Sequence, residues 1–163
     1  MKNNINNIYR TIYGLNNSIN FLKNHQKYKI SSISINKEGV ASKNKELNAL
    51  LKSMGVSIKF LENQKFNAKY NFKHHQGIVV HFEGKITSEL NEISNFKESA
   101  CYIICDQITD PQNLGQIIRT SECAGIDGII LPKHGSVHIT DSVIQVSQGA
   151  FFNLDVFIET NLN

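Results

Sequence analysis

The sequence predicts an α/β protein made of two small units in tandem, the second with a parallel sheet, and three observations predict it. Segments of helical period alternate with segments of strand period along most of the chain, as they do where helices pack on sheets. A polar stretch from Glu83 to Ser99 separates residues 1–82 from residues 100–163. Beyond it an apolar run, a helical segment and a second apolar run follow in the order of a βαβ unit, which requires parallel strands.

In the first unit, Leu15, Ile19 and Leu22 stand at helical spacing after Gly14, and the stretch through Tyr28, Ile30, Ile33 and Ile35 reads as a strand. Leu47, Leu50 and Leu51 mark a second helix that stops at Gly55, after which Val56, Ile58 and Phe60 alternate as a strand. A weaker helical segment near residues 62–69 leads through Phe72 and His74 to the strand of Ile78, Val79, Val80 and Phe82. Residues 83–99 read as a linker in which Leu90, Ile93 and Phe96 allow one short helix.

In the second unit, Ala100–Ile104 reads as a buried parallel strand and Leu114–Ala124 as a helix ended by Gly125. Gly128–Leu131 forms the next strand, stopped by Pro132. Thr140 or Asp141 can cap a helix running to about Ser147, and Leu154, Val156 and Ile158 supply a last strand.

The 163 residues, 40% hydrophobic and 19% charged, have the composition of a globular protein. No run approaches the roughly 18 apolar residues of a membrane span. The asparagine-rich start, Asn3, Asn4, Asn6 and Asn7, lacks the apolar core of a secretory signal, so a cytoplasmic protein is expected. Cys101, Cys105 and Cys123 cannot all pair, and their spacing with the histidines fits no zinc motif. They read as reduced, buried thiols, with Cys101 and Cys105 on one strand face and no metal expected.

The net charge of +3 hides an uneven division. Residues 1–82 carry thirteen Lys and Arg against Glu38, Glu46 and Glu62, a net +10, while residues 83–99 come to −2 and residues 100–163 to −5. A basic first unit is suited to a polyanion such as RNA, although a lysine-rich solvated surface has the same composition. Lys23, Lys27, Lys29 and Lys73 are the candidates for phosphate contacts. His74 and His75 can stack on a base, bond a phosphate or shape a turn.

The informative segment runs Asp106-Gln107-Ile108-Thr109-Asp110-Pro111-Gln112-Asn113-Leu114-Gly115-Gln116-Ile117-Ile118-Arg119-Thr120, where a parallel strand gives way to a helix. α/β proteins place ligands at such junctions. Pro111 stiffens the loop, Asn113 can cap the helix with its amide toward a cleft, and Gly115 permits close approach. Leu114, Ile118 and Ser121 fall on an inward stripe, and Gly115, Arg119 and Glu122 on another, which presents Arg119. An arginine so placed can grip a ribose or phosphate with a fork that lysine cannot reproduce; a surface pair with Glu122 is the alternative.

The string Asp-x-x-x-Asp-Pro-x-Asn-x-Gly-x-x-x-Arg-Thr resembles the first signature motif of the SpoU (TrmH-like) RNA ribose 2′-O-methyltransferases, within the SPOUT class of knotted enzymes. His75-Gln76-Gly77-Ile78 resembles the element closing the family's substrate-binding domain, and Ser147, Gly149 and Ala150 a second, looser signature. The resemblance implies an L30e-like RNA-binding domain over residues 1–82, a linker over 83–99 and the N-terminal part of a SPOUT methyltransferase domain over 100–163. It implies S-adenosylmethionine as donor, structured RNA with 23S ribosomal RNA foremost as acceptor, and a homodimer. Carried over by position, Arg119 acts on the ribose 2′-hydroxyl, Asn113 helps shape that site, and His75 and Gln76 belong to the RNA-binding set.

The family's cofactor knot is formed by two later motifs, a glycine-rich loop with a glutamate and a Ser-Leu-Asn-type segment, and neither occurs in these residues. No cofactor-binding residue is therefore expected here, and the chain alone is expected neither to bind S-adenosylmethionine tightly nor to methylate RNA. An incomplete sheet would also expose an apolar edge. The alternative function is a non-catalytic RNA-binding or ribosome-associated protein derived from such an enzyme.

Overall fold

Apolar residues at alternate positions of the first unit turn one face of a four-stranded sheet toward its helices, and that face is the core. The computed structural model describes residues 8–71, 73–92 and 99–162. It divides into two compact units, Met1–Lys85 and Ile86–Asn163.

In the first, β1 (Ile8–Tyr13), β2 (Lys29–Asn36), β3 (Ile58–Leu61) and β4 (Ile78–Gly84) lie in the order β1-β4-β2-β3. β4 is antiparallel to both neighbours, and β2 and β3 are parallel. Ile12, Ile33, Ile35, Val80 and Phe82 point to one side and are fully buried. Helix α1 (Leu15–Lys23) covers that side, with the Phe21 and Phe82 ring centroids 4.5 Å apart. Helix α2 (Lys45–Met54) packs beside α1 and buries Leu47 and Leu51. It begins at Asn44, whose side chain accepts from Leu47 N–H at 2.8 Å, and ends at Gly55, which is left-handed at φ 63°. Helix α3 (Asn63–Lys69) lies on the opposite face, where Phe66 and Tyr70 cluster with Val79.

β1 was not among the expected elements, although Tyr9, Thr11, Ile12 and Tyr13 are strong strand formers. Its apolar positions do not alternate cleanly because buried Arg10 occupies a core-side place opposite Phe82. The 83–99 stretch also differs from a plain linker. Glu83 and Gly84 end β4, while Ser88–Glu89 form β5 and Leu90–Glu92 a 3-10 turn. Phe72, Ile93 and Phe96 lie outside the described residues.

In the second unit β5, β6 (Tyr102–Ile104), β7 (Gly128–Pro132) and β8 (Asp155–Glu159) form an all-parallel sheet in the order β5-β8-β7-β6. Every residue of β7 is buried, as suits a central parallel strand. β6 is shorter and less buried than expected: it is an edge strand, and Ile104 is 58% exposed. Cys101 lies outside it and is exposed, as is Cys123, so only Cys105 is the buried thiol that its apolar character called for. Helix α4 (Pro111–Cys123) connects β6 to β7 and buries Leu114, Gly115, Ile118 and Ser121. Helix α5 (Asp141–Val146) starts at Thr140, whose hydroxyl accepts from Val143 N–H at 3.3 Å.

Two outcomes follow from this packing. A Cβ at Gly128 would stand 2.7 Å from the Asp155 carbonyl oxygen in the neighbouring strand, which cannot yield without breaking the ladder. Gly128→Ala is expected to lower stability by about 1–3 kcal/mol in urea unfolding. Burial pushes the Cys105 thiol above its ordinary value. With a thiol-reactive dye at pH 8, Cys101 and Cys123 are expected to label promptly and Cys105 only as the unit opens.

Candidate functional site

Asp110 and Pro111 set where α4 begins. The Asp110 carboxylate accepts from Gln112 N–H at 2.8 Å and Pro111 occupies the first turn, where its missing N–H costs nothing. The cap expected at Asn113 is therefore at Asp110, three residues earlier. The Asp-Pro pair carries that signal, because an acidic cap followed by proline is a helix start. The loop before it is held by Val137 N–H donating to the Ile108 carbonyl at 2.7 Å, and contains Gln107 at φ 56°.

This start fixes the rotation of the helix. Leu114, Ile118 and Ser121 face inward as the spacing predicts. Gly115 does not share the exposed side of Arg119: it is buried against α5, and a Cβ there would meet Val146 at 2.6 Å. The close approach anticipated at Gly115 is made by that neighbouring helix.

Arg119 is exposed and makes no ion pair or hydrogen bond among the described residues. The alternative partner, Glu122, instead accepts from the Asn153 amide at 2.8 Å. Asn113 is exposed as well, and lines an open groove of about 540 Å³ with Ile103, Ile108, Gln116, Ile117 and Thr120. Arg119 stands six positions after Asn113, about 9 Å along the axis and about 120° around it. The two candidate catalytic residues thus leave the helix in different directions, Asn113 over the groove and Arg119 into water, outside the set of residues that line it. Gln116 and Thr120, on the Asn113 side, went unremarked in the sequence, although spacing of three and seven from Asn113 places them there.

The second signature is a tight turn. Ser147 is buried, its hydroxyl donating to the Ile144 carbonyl at 2.7 Å and accepting from Phe151 N–H at 3.4 Å. Gln148 and Gly149 follow at φ 53° and 90°, which reverses the chain into the 3-10 turn Ala150–Asn153 that buries Phe151 and Phe152.

In the first unit the candidate RNA-binding residues fall into two groups. Lys23, Lys27 and Lys29 follow one another from the end of α1 to the start of β2. Lys23 pairs with Glu46 at 2.7 Å and Lys29 approaches Glu83 at 4.0 Å, exposed contacts worth little. Lys73, His75 and Gln76 belong to the turn entering β4, at the other end of the sheet, roughly 20 Å away along β2. There Lys73 is exposed. Gln76 accepts from Leu15 N–H at 2.7 Å, satisfying the start of α1, and His75 accepts from Gly77 N–H at 2.9 Å with its ring 5.1 Å from that of Phe66. His74, Gln76 and Gly77 all have positive φ, so these side chains are engaged in holding a strained turn.

Comparisons with known proteins meet these two units separately. Residues 11–86 match the RNA 2′-O ribose methyltransferase substrate binding family, and residues 100–163 the SpoU rRNA methylase family. The chain is 37% identical over 114 residues to a 23S rRNA (guanosine-2′-O-)-methyltransferase of Shewanella oneidensis, covering 68% of this chain and 46% of that protein. It is 28% identical over 158 residues to the Haemophilus influenzae enzyme of that name, covering 93% and 63%. It thus spans about half to three-fifths of the length of these relatives. Among solved structures, an AdoMet-bound rRNA methyltransferase from Sinorhizobium meliloti superposes with a TM-score of 0.69 at 23% identity, over 92% of this chain and 54% of that one. The SpoU methyltransferase AviRb from Streptomyces viridochromogenes superposes at 0.71 and 16% identity, over 94% and 55%, a likeness of fold. With a substrate-binding segment, a parallel-sheet methylase segment and the Asp110–Arg119 helix start following in order, the chain belongs to the SpoU RNA methyltransferase family.

Proposed function

We propose that the chain supplies the RNA-recognition unit and the leading part of the methylase unit of a ribose 2′-O-methyltransferase acting on 23S ribosomal RNA. The observation that carries this reading is Arg119, an exposed guanidinium without a protein partner among the described residues, on the helix that follows a strand-to-helix junction, although it is not among the residues lining the groove there. The unit around it is acidic, so a lone arginine there is a directed positive group in a field that would otherwise repel RNA. The resemblance to 23S rRNA guanosine methyltransferases supports the choice of substrate.

In this reading Arg119 grips the phosphate and ribose of the target nucleotide and stabilises developing charge on the 2′-oxygen. Orienting the sugar and stabilising charge are the roles assigned to it, and removal of the proton is not. Asn113, Gln116 and Thr120 present amides and a hydroxyl along the groove, to orient the sugar or its neighbour. A cytoplasmic homodimer completes the proposal; no helix among the described residues is long and apolar enough to cross a membrane.

SpoU methyltransferases use S-adenosylmethionine, and AviRb has been solved with AdoMet bound. The residues present here do not fit that donor by themselves. The groove is lined by isoleucines, alanine, amides and hydroxyls, with no charged side chain for the donor's ammonium or carboxylate. The chain alone is accordingly proposed to bind RNA without transferring a methyl group.

These statements are checked by binding and by methylation. Substituting alanine for Lys23, Lys27 and Lys29 one at a time is expected to lower the log-log salt slope of rRNA-fragment binding by about 0.7–0.9 for each phosphate left without its lysine; an unchanged slope removes the electrostatic assignment. Arg119→Ala is expected to weaken binding about tenfold with an unchanged melting temperature, and Arg119→Lys to recover little of it. Labelled S-adenosylmethionine incubated with chain and rRNA is expected to give no 2′-O-methyl product, and its appearance contradicts the proposed incompleteness.

A further inference from the structure

Helix α3 covers only part of its face of the first sheet. Phe66 and Tyr70 lie on Val79, with Tyr13 and Leu61 packed against them. Along the same face, toward the start of β1, the register brings Tyr9 and Lys29 opposite Glu83, and Thr11 and Ser32 opposite His81. Tyr9 is 56% exposed there.

The exposed ring is not loose. Tyr9 stacks on His81 with centroids 5.2 Å apart and planes 20° from parallel. The Thr11 hydroxyl oxygen lies 2.8 Å from His81 Nδ1 and fixes that ring, whose other neighbour is Tyr70 at 6.0 Å. Burial, with the Lys69 charge adding to it, holds the His81 pKa below its ordinary value, so at pH 7 it is a neutral ring in the stack. The result is a preordered aromatic plate, more than half exposed, against whose ring only His81 stacks among the described residues, and it loses little side-chain entropy when something flat is laid on it.

Its margins carry two lysines and one carboxylate, Glu83. Lys29, 80% exposed at its side chain, stands across β4 from Tyr9, 4.0 Å from Glu83, which also accepts from Ser31. Lys69 lies with its ammonium 5.0 Å from the Tyr70 ring centre. The whole unit, residues 1–85, carries fourteen Lys and Arg against four Glu. An aromatic plate between lysines on a strongly positive unit matches a nucleotide with its base unstacked, since every base offers a π-face and brings phosphates on both sides.

We propose that Tyr9, backed by His81, is a stacking site for an unpaired RNA base, with Lys29 and Lys69 receiving the adjoining phosphates. The site is separate from the His75–Gln76 turn and rests on the reading of this unit as the RNA-recognition part. Unlike the lysine contacts, it distinguishes single-stranded or looped RNA from a plain duplex.

The test uses a single-stranded RNA oligonucleotide carrying 2-aminopurine, a base whose emission is quenched on stacking; the chain has no tryptophan to interfere. The unsubstituted chain is expected to quench the probe, Tyr9→Phe to behave like it, and Tyr9→Ala to lose the quench and about tenfold or more in affinity. The salt slope should stay unchanged in Tyr9→Ala and fall in Lys29→Ala/Lys69→Ala. Circular dichroism confirms that Tyr9→Ala, an exposed position, retains the fold. Equal affinity and quench in Tyr9→Ala overturn the stacking site while leaving RNA recognition by the unit in place; failure of the unsubstituted chain to bind any RNA overturns both.

Discussion

The rotational phase of α4 governs what this chain can do. A helix has one phase, and here Asp110 and Pro111 set it from the start while Leu114 and Ile118, both fully buried, set it from the core. Once those four residues are placed, Asn113 must face the groove and Arg119 must face water about 120° around the helix from it. The constraint is doubly held: Gly115 lets α5 approach so closely that no other residue fits, and Glu122 is taken by Asn153, which leaves the arginine without its nearest competitor. In the proposed function, the helix after this strand-to-helix junction thereby presents an unpaired arginine of an acidic unit to a nucleic acid.

In the proposed function the first unit meets the same ligand by different physics. Its lysines are long, solvated and spread over both ends of the sheet, which suits attraction over distance and says little about sequence. Its aromatic surface is short-ranged and indifferent to salt. The sheet connects the two, because β4 carries Glu83 and His81 at one end and leads from the turn of His75 and Gln76 at the other.

Much of this is legible in the residues. Period alone locates α1, α2, α3, β2, β3, β4 and β7, and the Asp-Pro-x-Asn string locates the junction and the family. What escapes has a physical reason in each case. β1 is obscured by Arg10, a charged residue on the core face that breaks the alternation. The start of α4 falls earlier than expected because Asn113 is a good capping residue in isolation, whereas Asp110 followed by proline is better placed. The cysteines look buried by type, but Cys101 and Cys123 sit outside the strand and at the last turn of the helix, where the packed face has ended. The engagement of His75 and Gln76 in a turn depends on contacts to Leu15 and Phe66 that no local pattern encodes.

Whether Arg119 is held ready for RNA can be read by NMR, because the chain contains only two arginines, Arg10 and Arg119. Arg10 is buried and Arg119 exposed, so their side-chain Nε–H signals in a 15N-labelled sample should differ strongly in exchange with water. On titration with an rRNA fragment the Arg119 signal is expected to shift and become protected while Arg10 stays in place. An Arg119 signal that remains unmoved when the RNA is fully bound would contradict that role.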